Sequence, residues 1–456
     1  MKLSGWQWLA ASSLMLAASA SAETRPQYGG TLQVAVREAL ATLDPAGTLP
    51  TDSFARRNLT LLLFETLVTL GDAGNVRPGL ATAWQTSPGN QRWQFQLRRG
   101  VKFHDGVALT AEIAASSLRV SNSSWKVFAE GDSVIVECDN PDPNLPAELA
   151  EAHNAVFRKN SEGKMAGTGP FYLAAAQAGK QLTLNANENY WGGRPFLDSI
   201  QVETGRNYHD QLIELELGRA DLIEVPVEQA RRVATEGRRL SHSAPLELIA
   251  LLFAREPRSP EEKSLREALA LSIDRASIRS VFLQGEGEPA ASLLPNWMSG
   301  YGFLFPAEAN LTRANEERAR VHPIPAWTIG YDAGDALSRL LAERIALNAR
   351  DAGLSLQPIA GTSADIGVVR IPLASTDAWS ALAGIAASTG LPAAKLNGDS
   401  LEELYLTELA TLATQRLIPL FHLPATYAAS PALRNWSPGR DGSWRLAEVW
   451  LGSAKP

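Results

Sequence analysis

The side chains able to do chemistry are few and scattered. Six histidines stand at positions 104, 153, 209, 242, 322 and 422. No two have the four-residue spacing that pairs imidazoles on a helix, and the single cysteine, Cys138, stands beside none of them. The sequence therefore holds no local metal motif, and no cofactor is expected. His104-Asp105 and His209-Asp210 are chain neighbours, but adjacent side chains rarely face one site. The first reads as a turn and the second as a helix start, while convergence of distant histidines stays open. No G-x-S-x-G elbow and no P-loop lysine motif occurs. What remains is suited to binding. Glu224, after Ala220-Asp221-Leu222-Ile223, could accept a hydrogen bond from an amine or amide, and Arg370 could hold a carboxylate through two parallel bonds. Trp297 and Trp379 could offer apolar or stacking walls. The bland alternative is a solvated position or structural ion pair for each charge, and core packing for each tryptophan.

Strands and helices must alternate to place such groups. Residues 31–36 read as a first strand, followed by a helix carrying Phe54, Leu59, Leu62, Leu63 and Leu67. Trp93, Phe95 and Leu97 alternate with Gln94 and Gln96, the period of a half-buried strand. Asp105-Gly106 marks a tight turn, Thr110 can cap the next helix, and Glu112 lies in its first turn. Residues 133–138 form another strand, with Cys138 as a small apolar member. Residues 246–253 read as a strand buried on both faces. Ser259-Pro260-Glu261-Glu262 opens the clearest helix, with Leu265, Leu269 and Ile273 on one face. Residues 307–325 look polar and loop-like, and the Ala/Ser-rich piece 374–394 is loosely specified. A strand at 326–331 precedes a long helix stopped by Gly353; further strands are expected at 366–371 and 418–423, with a helix at 401–412. This mixture indicates an α/β class.

Composition limits the partners. Lys2, an uncharged apolar run at 8–18 and Ala20-Ser21-Ala22 fit a signal peptide over 1–22 with a mature start at Glu23. The apolar run is too short to span a bilayer, and no cysteine near the cut could carry a lipid. A soluble periplasmic protein is expected in a host with two membranes. Loss of Lys2 takes the formal charge from −7 to −8, which argues against nucleic acid or an anionic membrane as partner. One cysteine allows no internal disulfide, and the length suggests two to three domains.

The order and wording of several segments resemble bacterial extracellular solute-binding proteins of the peptide- and nickel-binding class. The stretch 74–84 reads GNVRPGLATAW, and 93–118 reads WQFQLRRGVKFHDGVALTAEIAASSL. Then come GTGPF at 167–171, NENYWGGRPFLDSI at 187–200, LGRADL at 217–222 and LREALALSIDR at 265–275. These pieces are mostly glycine turns, aromatic plugs and one amphipathic helix, so they speak to scaffold more than to ligand.

The resemblance implies a two-lobed periplasmic-binding-protein fold with mixed β-sheets, joined by two crossing strands near 248–253 and 418–423. Lobe I would comprise 23–247 and 422–456, and lobe II 248–421. Ligand would be trapped between the lobes by hinge closure. Leu49 and Thr51 lie in the loop that borders the cleft in such proteins. Peptide-binding members carry an aspartate for the peptide's ammonium; the best ungapped placement puts Ala374 there, with Asp377 three residues on as a substitute. The stretch from Arg119 to Gly167 is shorter than usual, so a small subdomain is reduced. The implied function is the capture subunit of an ATP-binding-cassette importer, a monomer that takes a short peptide or similar solute to an inner-membrane permease. The rivals are a degenerate or sensory binder of a non-peptide ligand such as a nickel complex, and a secreted hydrolase.

Overall fold

Every second side chain of the opening strand, Thr31–Ala35, is buried: Leu32 and Val34 reach the core while Thr31 and Gln33 face partly outward. The strand lies parallel to both Ser199–Glu203 and Leu222–Glu224. The computed structural model describes residues 25–40, 43–47, 53–72, 74–373, 375–391 and 400–452. Among these, one large sheet contains eleven strands. Its middle is the antiparallel pair Arg239–Phe253 and Leu417–Ala429. On one side Leu417–Ala429 pairs with Leu222–Glu224, and on the other Arg239–Phe253 pairs with Ile366–Pro372. Beyond that, Ala326–Tyr331 runs parallel to Ile366–Pro372 and to Ser355–Ala360.

Each half of this sheet has its own core. One gathers Leu32, Phe171, Tyr427, Trp436 and Trp444. The other packs Phe253, Leu269, Ile329 and Leu341 on one face, and Leu248, Trp379 and Leu382 on the opposite face. Leu248 and Ala250 serve the second face, Ile249 and Leu251 the first; this is the two-faced burial that the apolar run required. Glu247 is the charged exception in that run. Pro245 stands opposite Pro424, and the register slips on either side of them. Neither proline can donate to the ladder, so the sheet is least tied where it passes from one half to the other.

A separate four-stranded sheet contains Ala81–Thr86, Arg92–Leu97, Ser133–Glu137 and Lys126–Glu130. Trp93, Phe95 and Leu97 are buried, as their alternation required. Thr110 accepts the Ile113 amide at 3.3 Å and caps the Ala111–Ser121 helix. Cys138 sits half-buried at the rim, and burial, with Asp142 and Glu148 nearby, pushes its thiol up to about 11. It is therefore protonated at neutral pH.

The signature pieces are structural ties. A Cβ on Gly167 or Gly169 would overlap the carbonyl oxygens of Leu63 or Leu62, so the GTGPF turn needs glycine to lie against the end of the Phe54–Leu63 helix. Glu65 accepts hydrogen bonds from Thr168 Oγ1 at 2.7 Å, Tyr190 Oη at 2.9 Å and Trp191 Nε1 at 2.9 Å. One carboxylate thus joins the GTGPF and NENYW segments.

Three sequence expectations fail. The helix that begins at Phe54 ends at Leu63, so Leu67 lies beyond it. Residues 311–319 are helical, not loop: the Asn310 side chain caps Leu311–Ala319 by accepting the Arg313 amide at 3.0 Å, and Ala314 is buried. With so few apolar positions the helix shows little periodicity, and its support comes from packing on the Pro260–Ser272 helix. The Ala/Ser-rich piece contains the helix Ala378–Thr389, ended by Gly390 at φ +61°. Small residues gave it little polar–apolar contrast, yet Trp379, Leu382 and Ile385 are buried in the core.

Candidate functional site

Among the described residues, two cavities lie where the halves meet, both touching the Phe54–Leu63 helix; the first also touches the end of the Ile366–Pro372 strand, and the second touches Ser375 and Thr376 beyond it. The first, of about 440 Å³, lies at the carboxyl ends of the parallel strands Thr31–Ala35 and Leu222–Glu224. That is where ligands enter open α/β sheets. Its walls include Arg37, Phe54, Tyr208, Glu224, Glu247 and Arg370. The second, of about 310 Å³, is lined by Arg57, Arg77, Glu151, Thr376, Asp441 and Arg445, among others. Both volumes fall in or near the roughly 300–1,000 Å³ of small-molecule pockets.

In the first cavity the charges are largely spent on one another. Arg370 donates to Glu247 through Nε at 3.0 Å and Nη2 at 2.6 Å, and to Asp335 through Nη1 at 3.2 Å. Burial works against the guanidinium charge, but Glu247 and Asp335 more than offset it, and its pKa stands well above the usual arginine value. Asp335 also caps the Ala336–Asp351 helix through the Leu337 and Ser338 amides. Burial raises the Asp335 carboxyl; Arg370, with the Ser338 bonds, overrides this and holds it below the ordinary range. Burial raises Glu224, although the Arg37 amide at 2.6 Å and Gln211 Nε2 at 3.4 Å hold it back. Burial likewise raises Glu228, which lies near Arg370, Asp335 and Glu247.

The second cavity is less tied. Arg57 donates to the Asp441 carbonyl and lies 3.7 Å from its carboxylate. Arg445 pairs with Asp72 and adopts φ +46°, a left-handed backbone unusual for a side-chain-bearing residue. Arg77 is exposed and has no ion-pair partner among the described residues. Thr376 is 6% exposed, and its hydroxyl has no hydrogen-bond partner among the described residues.

The residues singled out from sequence are distributed unevenly. Glu224 and Arg370 line the first cavity together. Asp377 caps the Ala378–Thr389 helix, its Oδ2 accepting the Ser380 amide at 2.8 Å. Trp379 is buried in the core beside Leu382. Trp297 donates Nε1 to the Pro245 carbonyl at 2.9 Å, and Arg440 lies over its ring at 5.0 Å. Leu49, Thr51 and Ala374 lie outside the described residues; their chain neighbours Ser53 and Ser375 line the first and second cavities respectively. Sequence reasoning missed Arg57, Arg77, Thr376 and Arg445. Only Arg57 left a local signal, as one of two adjacent arginines at the start of the Phe54–Leu63 helix. Among the described residues no group of three or more His, Cys, Asp and Glu could hold a metal ion, and no helix is long and apolar enough to cross a membrane.

A family model described as bacterial extracellular solute-binding proteins, family 5 Middle, matches residues 75–366, well over half the chain. The chain belongs to this family. The nickel-binding protein NikA of Staphylococcus aureus is 26% identical over 320 residues, covering 64% of this chain and 63% of that protein. The chain thus spans just under two thirds of that relative's length. Among solved structures, NikA from Brucella suis in complex with Fe(III)-EDTA matches with TM-score 0.80 at 18% identity, over 92% of this chain and 100% of that one. The oligopeptide-binding protein AppA of Bacillus subtilis, in complex with a nonapeptide, matches with TM-score 0.76 at 19% identity, over 94% and 100%. These likenesses establish the two-lobed periplasmic-binding fold with mixed sheets.

Proposed function

We propose that this family member is the substrate-binding component of an ATP-binding-cassette importer. It captures a short peptide or related small solute between two lobes and delivers it to an inner-membrane permease. The observation that carries this reading is the pair of cavities at the junction of the two half-sheets, each walled by residues from both halves. The lobes would be residues 23–247 with 422–456, and 248–421, with the hinge at the facing prolines Pro245 and Pro424. Capture requires the closed form to bind solute better than the open form does. Glu224, Arg370, Asp377, Trp297 and Trp379 then act mainly by shaping and bracing the cleft. The protein is a binder rather than an enzyme, exported to the periplasm by residues 1–22, monomeric, and without a nucleic-acid partner.

One observation favours the second reading, a sensory or otherwise diverged binder of a non-peptide solute. The Asp377 carboxylate caps a helix, so it is not free to meet a peptide ammonium without uncapping that helix. Neighbouring receptor genes in place of permease genes would support this reading.

The test is made on protein recovered from the periplasm of an expressing host, then unfolded and refolded to remove bound solute. Its melting temperature is followed against short peptides, organic acids, sugars and Ni²⁺. A solute at ~100 times its dissociation constant should stabilise by about 2.7 kcal/mol. Retention in the cytoplasm, or no shift with any member of the panel, overturns the proposal.

A further inference from the structure

The second cavity carries a surplus of positive charge: three arginines line it against two carboxylates, Glu151 and Asp441. We infer that it receives a carboxylate of the captured solute, with Arg77 and Arg445 as the cations and the Thr376 hydroxyl as a third donor. This rests on the solute-binding function proposed above and narrows its substrate class to acids. The carboxylate comes either from a peptide C-terminus or from a non-peptide organic acid.

Three features point the same way. Arg77 has neither an acidic partner nor a hydrogen bond among the described residues, although it extends from the strand Val76–Pro78 to the cavity wall. Among the described residues Arg445 is committed only to Asp72 and Ser443, and the Asp72 pair is about half exposed on both sides. Such a pair contributes little, so the guanidinium can turn to a better-enclosed carboxylate. Thr376 is buried at the same cavity, and its hydroxyl has no partner among the described residues. A buried donor without an acceptor is uncommon in a finished protein, and a ligand oxygen would complete it. An ammonium finds no equivalent welcome on this loop, where Asp377 is occupied as a cap. Asp441 is likewise occupied, by the Ser443 amide at 3.1 Å and its hydroxyl at 2.6 Å. The guanidinium fork matches a carboxylate in geometry as well as charge.

The experiment uses periplasmic protein refolded free of solute, with calorimetric titration of trialanine, trialanine amide, N-acetyl-trialanine, citrate, glucose and putrescine. An acid is expected to bind at least about ten-fold tighter than its uncharged counterpart. Trialanine and its N-acetyl form binding, with the amide failing, assigns a peptide C-terminus; citrate binding alone assigns an organic acid. Arg77→Gln and, separately, Thr376→Val should each weaken the acid by about ten-fold, with the unliganded melting temperature of the exposed-site variant Arg77→Gln unchanged. Two results overturn the inference while leaving the solute-binding function standing: an amide, glucose or putrescine that binds as tightly as any acid, or Arg77→Gln and Thr376→Val both binding the acid with unchanged affinity. If no probe of any class binds, and the wider panel is also silent, the solute-binding function falls and the inference with it.

Discussion

Arg370→Met keeps most of the side chain's bulk and removes its charge. The Arg370, Glu247 and Asp335 side chains are only 18%, 17% and 5% exposed, so the two carboxylates would be left with an uncompensated charge away from water. Breaking such a pair from one side costs about 3–5 kcal/mol. Unfolding entropy is about 2.1 cal/mol/K per residue near 60 °C, which for 456 residues is on the order of 1 kcal/mol/K. The melting temperature should therefore fall by about 3–5 °C at pH 7 if the chain unfolds as one unit. The deficit also has a predicted pH dependence. Asp335 is buried, yet held below its unfolded pKa chiefly by Arg370. Its contribution is therefore complete above the unfolded value and is lost as pH falls through the folded one. Without Arg370 only burial and the cap bonds act on it. Burial raises the carboxyl, proton uptake relieves the stranded charge, and the gap between variant and parent should narrow toward about pH 5. Scanning calorimetry at both pH values measures this. A loss below about 1 °C at pH 7, or a gap that does not narrow in acid, would refute the reasoning. Unchanged stability with lost affinity for an acidic solute would instead make Arg370 a ligand contact.

Asp377→Ala should cost about 1 kcal/mol through loss of the Ser380 cap and leave the affinity of any bound solute within two-fold, by calorimetric titration; a large affinity loss restores Asp377 as an amine anchor. Glu148→Gln should remove a pH dependence. Burial and the neighbouring Asp142 raise the Glu148 carboxyl to about 7, above its unfolded value, so the parent is favoured in acid and loses up to roughly 3 kcal/mol as pH rises through 7. Urea melts of the variant at pH 5 and 8 should differ less than those of the parent. Gly169→Ala, which drives a Cβ into the Leu62 carbonyl, should destabilise by more than about 3 kcal/mol, read as a shifted urea midpoint. Glu65→Ala strands three donors and should cost on the order of 2–4 kcal/mol, again by urea melts.

Much of the scaffold could be read before any coordinates, because its signals are local. The alternation of Trp93, Phe95 and Leu97 fixes which face of a strand is wet. The caps at Thr110 and Ser259 act over three residues, and each accepts the amide expected of it. Gly353, at φ +70°, stops a helix as its position suggested. The two missed helices share a cause. The Leu311–Ala319 and Ala378–Thr389 helices owe their stability to packing, one on a neighbouring helix and the other deep in a core, and packing leaves a weak mark on periodicity.

The cleft was far less legible. Glu224 and Arg370 were picked out for their chemistry, but the sequence holds no sign that Arg370 would spend its guanidinium on Glu247 and Asp335, 123 and 35 residues away. Arg57, Arg77, Thr376 and Arg445 span most of the chain and meet only because the tertiary fold brings its later segments back beside the Phe54–Leu63 helix. The sequence by itself determined the family, the α/β class and the turns and caps, since short-range sterics and hydrogen bonding decide those. Only the tertiary structure decided which charges cancel and which remain to greet a ligand, since that depends on distances across the cleft that no local spacing encodes.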